Sequence, residues 1–277
     1  MSLKGLKTPL RYPGGKSRAV PKLAQWIPDL SKYTIYREPF LGGGSMALHI
    51  TKTYPKLKIW VNDLYEPLYN FWSILRDEGN YLYEQLKTFK QENNEPLSAG
   101  KLFRSQKDII NNRNESDKDR AVAFYIVNKC SFSGLTESSS FSKQASESNF
   151  SMRGIEKLPS YSELIQNWQI TNYHFGALLD DTPEAFVYLD PPYEIGDKLY
   201  GKKGDMHKYF DHDAFASSCD NYCCKQMISY NSSQCVRDRF KYWVAAEFSH
   251  TYTMRSVGDY MKDQNERKEL VLMNYEM

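Results

Sequence analysis

No stretch of this 277-residue chain is apolar for long enough to span a bilayer, and its first residues lack the hydrophobic run of a secretion signal. No membrane is expected as a partner, and a cytoplasmic location is. The cysteines number only five, an odd count with four crowded between Cys219 and Cys235, which is no secreted disulfide framework. Cys219 and Cys223 have helical spacing, but no His or Cys cluster completes a zinc site, so no metal is expected. The net charge of +2 is too small to announce a polyanionic partner by itself. Two glycine signatures are also missing: the spaced fingerprint of dinucleotide-binding proteins, and the Lys-Ser/Thr ending of a phosphate-binding loop. The chain has no internal repeat.

What remains is ordinary in bulk and informative in detail. Hydrophobic residues at 41% and charged residues at 25% fit a globular protein, sized for one large domain or one core with an insertion. Aromatics are plentiful, with 21 tyrosines suited to stacking or to core packing. The cations cluster: residues 1–22 carry Lys4, Lys7, Arg11, Lys16, Arg18 and Lys22 and no acid, and Lys198, Lys202, Lys203 and Lys208 follow a later motif. Such clusters suit a phosphate backbone, although a solvated charged face has the same composition.

That later motif is Asp190-Pro191-Pro192-Tyr193, directly behind the apolar run Ala185–Leu189. A buried strand would deliver an acid, two rigid prolines and an aromatic ring to its carboxyl end, where open α/β sheets bind ligands. An Asp carboxylate accepts a hydrogen bond from an amino group, a backbone carbonyl beside the first proline is a second acceptor, and a tyrosine ring offers a face to a base. The plainer alternative is a turn capped by an acid.

Upstream, Ile35–Phe40 predicts a short strand, Gly42-Gly43-Gly44-Ser45 a loop that lets backbone approach a ligand, and Met46–Ile50 the start of a helix. Lys58–Asp63 predicts the next strand of a βαβ unit, ending in an acid placed to accept both hydrogen bonds of a ribose diol. Tyr12-Pro13-Gly14-Gly15-Lys16 adds a second glycine pair beside an aromatic and a cation that could hold a carboxylate or a phosphate. Helical spacing runs over Glu66–Glu92, near 99–112 and near 117–128. Residues 131–151, with nine serines, read as a mobile loop or irregular hairpin. Strand character returns at 168–171, 185–189, 227–230, 243–245 and 270–273, with a crossover helix between Asp213 and Lys225. The predicted fold is α/β: a doubly wound sheet built from 1–64 and 156–277, interrupted by a mainly helical insertion at 65–155.

With these pieces in order the chain resembles the Dam-like DNA adenine methyltransferases. Tyr12–Lys16 looks like that family's N-terminal element, Glu38–Ser45 its cofactor glycine loop and Val61-Asn62-Asp63 its ribose-binding acid. Tyr173-His174-Phe175 looks like its adenine-side segment, Asp190–Tyr193 its catalytic tetrapeptide, and Ile228–Asn231 and Glu269–Tyr275 its later strands. The resemblance implies a Rossmann-like methyltransferase sheet with an inserted DNA-recognition domain, S-adenosylmethionine as cofactor and double-stranded DNA as partner. It implies Asp190, Pro191 and Tyr193 as catalytic. It implies Tyr12, Lys16, Phe40, Gly42, Gly43, Gly44, Ser45, Asp63, His174, Phe175 and Asp190 at the cofactor.

Lys16, Asn128, Lys129, Lys143, Arg153, Lys202 and Lys203 are the expected DNA contacts, and a monomer or weak dimer on DNA the expected assembly. Asn128–Leu135 is similar to the family's entry into its DNA-reading hairpin. Thr136-Glu137-Ser138 then stands where members reading GATC continue with Arg, so Arg153 becomes the candidate replacement reader. An RNA or protein-amide methyltransferase, or a DNA-binding homologue without catalysis, are the alternatives. The Asp at position 190 speaks against the protein-amide class, which favours Asn there.

Overall fold

The computed structural model describes residues 7–193, 210–249 and 268–276. The strands in chain order are β1 (Ile35–Glu38), β2 (Lys58–Asn62), β3 (Trp168–Thr171), β4 (Ala185–Leu189), β5 (Lys225–Asn231), β6 (Val244–Ser249) and β7 (Lys268–Met273). Among the described residues they form one sheet in the order β3-β2-β1-β4-β5-β7-β6. β1 to β5 are mutually parallel, and β7 runs antiparallel between β5 and β6. Chain order reverses between β1 and β4, which pair directly, so the crevice at their carboxyl ends is the topological switch point where such sheets bind ligands.

The strands divide two cores by the period of two that a pleated strand imposes. Tyr36, Phe186, Tyr188, Met227, Val271 and Met273 face one core; Ala185, Val187, Leu189, Ile228, Tyr230, Leu270 and Leu272 face the other. β4 is buried at all five positions, which is why it reads as an unbroken apolar run rather than an alternating one.

The helices are α1 (Val20–Leu23), α2 (Ser45–Thr53), α3 (Glu66–Asp77), α4 (Gly79–Glu92), α5 (Pro96–Ile109), α6 (Asp117–Cys130), α7 (Lys143–Ser148), α8 (Met152–Ile155), α9 (Leu158–Leu164), α10 (His212–Asp220) and α11 (Gln234–Arg239). The core of the first sheet face continues without interruption into α3, α4 and α6. α6 is the buried axis of the helical segment: every residue from Arg120 to Asn128 is buried, and Phe124 and Tyr125 pack on Phe71 of α3. Its start is fixed by Ser116, whose hydroxyl accepts from the Asp119 amide and donates to the Asp119 carboxylate, with acids in the first turn. No helix among the described residues is long and apolar enough to cross a membrane.

Two features differ from the sequence expectation. The helical spacing over Glu66–Glu92 is two helices, broken at Glu78, and α9 brings Ser162 against Gly79 at the start of the second. A Cβ at Gly79 would lie 2.4 Å from that of Ser162. The serine-rich segment 131–151 is compactly built, closer to the irregular hairpin than to the mobile loop of the sequence reading. A single bridge, Ser131 to Phe141, closes it, and the serines act as caps: Ser142 starts α7 and Ser151 starts α8. Ser139 donates to the Phe132 carbonyl. Serine frequency there reflects the turns to be closed, not a lack of structure.

Gly79→Ala is expected to lower unfolding free energy by about 1–3 kcal/mol despite its better helix propensity, because the new methyl group overpacks the α4–α9 contact. Denaturant titration of Gly79→Ala alone and combined with Ser162→Gly checks this. Failure of the second change to restore stability would show the contact is not the cause.

Candidate active site

The glycine loop between β1 and α2 takes its shape from two left-handed residues, Gly42 at φ +50° and Gly44 at φ +67°. A Cβ on Gly44 would meet the Trp72 ring at 2.7 Å, and one on Gly42 the Tyr12 ring at 3.0 Å, so both aromatics pack on bare backbone. Trp72 also donates to the Gly42 carbonyl at 3.1 Å, which ties α3 to the loop. Tyr12 therefore lies against the loop. Ser45 begins α2 and shares a 2.8 Å hydrogen bond with Ser17.

Asp63 follows β2 and is buried. Its two oxygens accept from the Gly42 amide at 2.9 Å and the Tyr65 amide at 3.0 Å. Burial pushes its carboxyl up to about 6, and the two amides hold it from rising further. Beside it, Asn62 accepts from the Tyr173 amide at 2.7 Å and donates to the Tyr173 carbonyl at 2.9 Å, fixing the chain that leads to His174 and Phe175. Phe175 is buried in a stack with Phe40, ring centres 5.5 Å apart, while Tyr173 is 55% exposed at the rim. His174 starts the turn that follows, accepting from the Gly176 amide at 3.4 Å.

Asp190 leaves the end of β4 and enters a network of buried polar groups. The Lys16 ammonium lies 2.8 Å from its Oδ1, and the Ser229 hydroxyl donates to the same oxygen at 3.0 Å. Ser229 shares a 2.8 Å hydrogen bond with the Tyr188 hydroxyl. Burial raises the Asp190 pKa, Lys16 lowers it, and the neighbouring Glu269 raises it again. Glu38, at the end of β1, accepts from the Tyr36 hydroxyl at 2.6 Å; burial lifts its pKa well above the ordinary carboxylate range. Tyr193 turns inward. Its ring stacks on Tyr230 at 5.6 Å, the Lys16 ammonium sits 4.6 Å from its centre, and its hydroxyl donates to Glu269.

The candidate DNA contacts fare differently. Lys16 is 4% exposed and engaged with Asp190 and Glu269, so it is no phosphate ligand. Asn128 is also buried: its amide accepts from the Arg11 backbone N–H at 2.9 Å and donates to the Arg11 carbonyl at 2.6 Å, so it holds the N-terminal segment instead of DNA. Lys129 is half-buried over the Tyr125 ring, and burial with the nearby Arg11 charge pushes its pKa down to about 7. Lys143 and Arg153 are exposed. Lys202 and Lys203 lie outside the described residues.

Sequence reasoning assigned no role to Glu269, Ser229, Tyr188 or Glu38. The available signal was a polar side chain at the inward parity of an otherwise apolar strand, as in Phe186-Val187-Tyr188-Leu189 and Met227-Ile228-Ser229-Tyr230. Among the described residues no group of three or more His, Cys, Asp or Glu is placed to hold a metal.

Comparison with known proteins joins these parts. Residues 12–256 match the family of D12 class N6 adenine-specific DNA methyltransferases. The chain is 26% identical over 217 residues to the type II methyltransferase M.MjaIII of Methanocaldococcus jannaschii, covering 74% of this chain and 73% of that protein. It is 23% identical over 280 residues to the type II methyltransferase M1.LlaDCHI of Lactococcus lactis subsp. cremoris, covering 96% and 94%. Over 192 residues it is 25% identical to the DNA N-6-adenine-methyltransferase of Escherichia phage P1, covering 66% of this chain and 24% of that protein. A match over so much of the chain, with the glycine loop and the Asp190 tetrapeptide both at the switch point of the sheet, shows that it belongs to the D12 class N6 adenine-specific DNA methyltransferase family.

Proposed function

We propose that the chain methylates the exocyclic amine of an adenine turned out of double-stranded DNA at a specific sequence, with Asp190, Pro191 and Tyr193 at the reacting base. The observation that carries this reading is the arrangement at Asp190: among the described residues its ion-pair and hydrogen-bond partners, Lys16 and Ser229, meet Oδ1, so we assign Oδ2 to the adenine amine. The amine is a poor nucleophile because its lone pair is delocalised into the ring. Hydrogen bonds from it to Oδ2 and to the Pro191 carbonyl favour a more tetrahedral nitrogen with an available lone pair. Asp190 orients the amine and stabilises the charge that grows on it, and it need not be a strong base. Reaching the amine costs a few kcal/mol of unstacking, which an aromatic surface at Tyr193 partly offsets.

We assign S-adenosylmethionine to the other half of the crevice, where it would supply a sulfonium methyl group with a neutral thioether as leaving group. Asp63 is the acid for its ribose diol, having lone pairs to spare beyond its two amide bonds. The bare loop Gly42-Gly43-Gly44 with Ser45 admits a close approach. Phe40, Tyr173, His174 and Phe175 supply an aromatic wall, and Tyr12 and Lys16 support the loop and Asp190 from below. We assign target reading to 65–155, with exposed Lys143 and Arg153 as backbone or base contacts, and the cytosol as the place of action.

Asp190→Ala is expected to lower turnover at least a hundredfold (about 3 kcal/mol) while DNA affinity changes less than about threefold. Methylation assays beside a gel-shift titration check this; near-normal turnover would sink the assignment. Cofactor affinity is expected to weaken as pH falls through about 6, because protonation of Asp63 removes an acceptor needed by the diol. The slope is at most about tenfold per pH unit. Asp63→Asn should bind weakly with no such dependence, and calorimetry with S-adenosylhomocysteine at several pH values distinguishes Asp63 from the other buried acids. Lys143→Ala and Arg153→Ala should each reduce the salt slope of DNA binding by about one if they contact phosphate. A slope unchanged but a motif relaxed would mark Arg153 as a base reader.

A further inference from the structure

Glu269 opens the inner half of β7, is 1% exposed, and stands opposite Asn231 of β5. Val271 and Met273, its neighbours of the same parity, are apolar core residues, so packing alone gives no reason for an acid here. A buried carboxylate is costly unless it is paired, and this one has two partners. The Tyr193 hydroxyl donates to its Oε1, and the Lys16 ammonium lies 3.4 Å from the same oxygen. Lys16 is at the same time 2.8 Å from Asp190 and 4.6 Å from the centre of the Tyr193 ring.

We propose that Glu269 is a positioning residue for methyl transfer, tying the Tyr193 hydroxyl and the Lys16 ammonium to one fixed point so that ring and cation are held against Asp190. This rests on the reading of Asp190 given above and adds a task to it. The sequence motif asks only for an aromatic ring at Tyr193; the structure gives its hydroxyl a use as well. One ammonium then serves two carboxylates, and neither carboxylate takes it over. Among the described residues, the groups around Asp190 are Lys16 from the N-terminal segment, Tyr36 and Glu38 from β1, Tyr188 from β4, Ser229 from β5, Glu269 from β7 and the following Tyr193. Of these, Glu269 pushes the Asp190 pKa up and Lys16 pushes it down. Neutralising Glu269 therefore favours ionised Asp190 and moves the acid limb of the turnover profile to lower pH.

The test compares the full chain with Glu269→Gln, Tyr193→Phe and the double variant. Turnover is read on DNA from a methylation-free host using a labelled methyl donor, and cofactor affinity by calorimetry with S-adenosylhomocysteine. Each single variant should lose about ten- to a hundredfold in kcat, since a small misplacement at a reacting centre has effects of that order. Cofactor Kd should change less than about threefold, and the double variant should lose less than the product of the two single losses, because the Tyr193 hydroxyl and the Glu269 carboxylate act through a shared contact while Glu269→Gln also weakens the pairing with Lys16. The acid limb should shift downward in Glu269→Gln. A kcat within twofold of the parent, multiplicative losses in the double variant, or an unmoved acid limb would overturn the proposal. Should Glu269→Gln fail to fold, Tyr193→Phe removes the same contact without touching β7 and decides the matter through kcat. A parent chain that binds cofactor and DNA but methylates no adenine would instead overturn the reading of Asp190.

Discussion

The reaction end of the sheet depends on one buried ammonium. Lys16 lies between Asp190 and Glu269 and pairs with both, and the Glu38 carboxyl, raised by burial, stands near Asp190. Taking a carboxylate out of water costs several kcal/mol, and removing one partner of a buried pair is commonly a 3–5 kcal/mol loss. The acids come from strands that pair through the backbone, whereas the cation comes from a short turn, Lys16–Arg18, with little regular structure around it. The site is therefore incomplete until the N-terminal segment docks. Sheet pairing alone leaves three acids crowded at one end.

That docking is distributed over both halves of the molecule. Thr8 donates to the Gly43 carbonyl at 2.5 Å, Gly15 closes its turn on the Tyr12 carbonyl, and the Tyr12 ring covers the glycine loop. On the other side Asn128 clamps the Arg11 backbone from α6, and the Arg11 guanidinium donates to the Ser131 carbonyl at 2.7 Å. Adjacent residues 11 and 12 thus face the helical segment and the cofactor loop respectively. Trp72 of α3 reaches the same loop from a third direction. The helical segment is built into the site rather than tethered beside it, which agrees with the unbroken core running from the sheet into α3 and α6.

What the sequence made legible follows from what leaves a local trace. β4 is readable because burial on both faces demands five apolar residues in a row, and the glycine loop because positive φ at Gly42 and Gly44 restricts the choice of residue. The break between α3 and α4 leaves only Gly79 as a trace, and the tight approach that this glycine permits is made by Ser162, which is distant in the chain. Segment 131–151 misleads for a related reason: composition reports serine, but only geometry shows which hydroxyl caps which helix. The polar residues mislead most. Lys16 and Asn128 carry the signature of nucleic-acid contacts, and each is buried in contacts that hold the protein together. A residue type states what a side chain can bond to, and the fold decides which bond it makes.

This inward use of charge also bears on the chemistry. An isolated buried Asp190 would keep its proton near neutral pH and offer the adenine amine a hydroxyl, the wrong partner for a group that must give up hydrogen bonds. An Asp190 paired only with Lys16 would be ionised but with much of its acceptor strength spent on the ammonium. Dividing Lys16 between Asp190 and Glu269 lies between these limits, with Ser229 adding a neutral donor to the anchored oxygen. In the role proposed for Asp190, the carboxyl anchored through Oδ1 would accept from the amine through its other oxygen, without having to act as a strong base. A nucleophile that acidifies only after it reacts needs an acceptor of this kind, and a stronger base would contribute little to the rate.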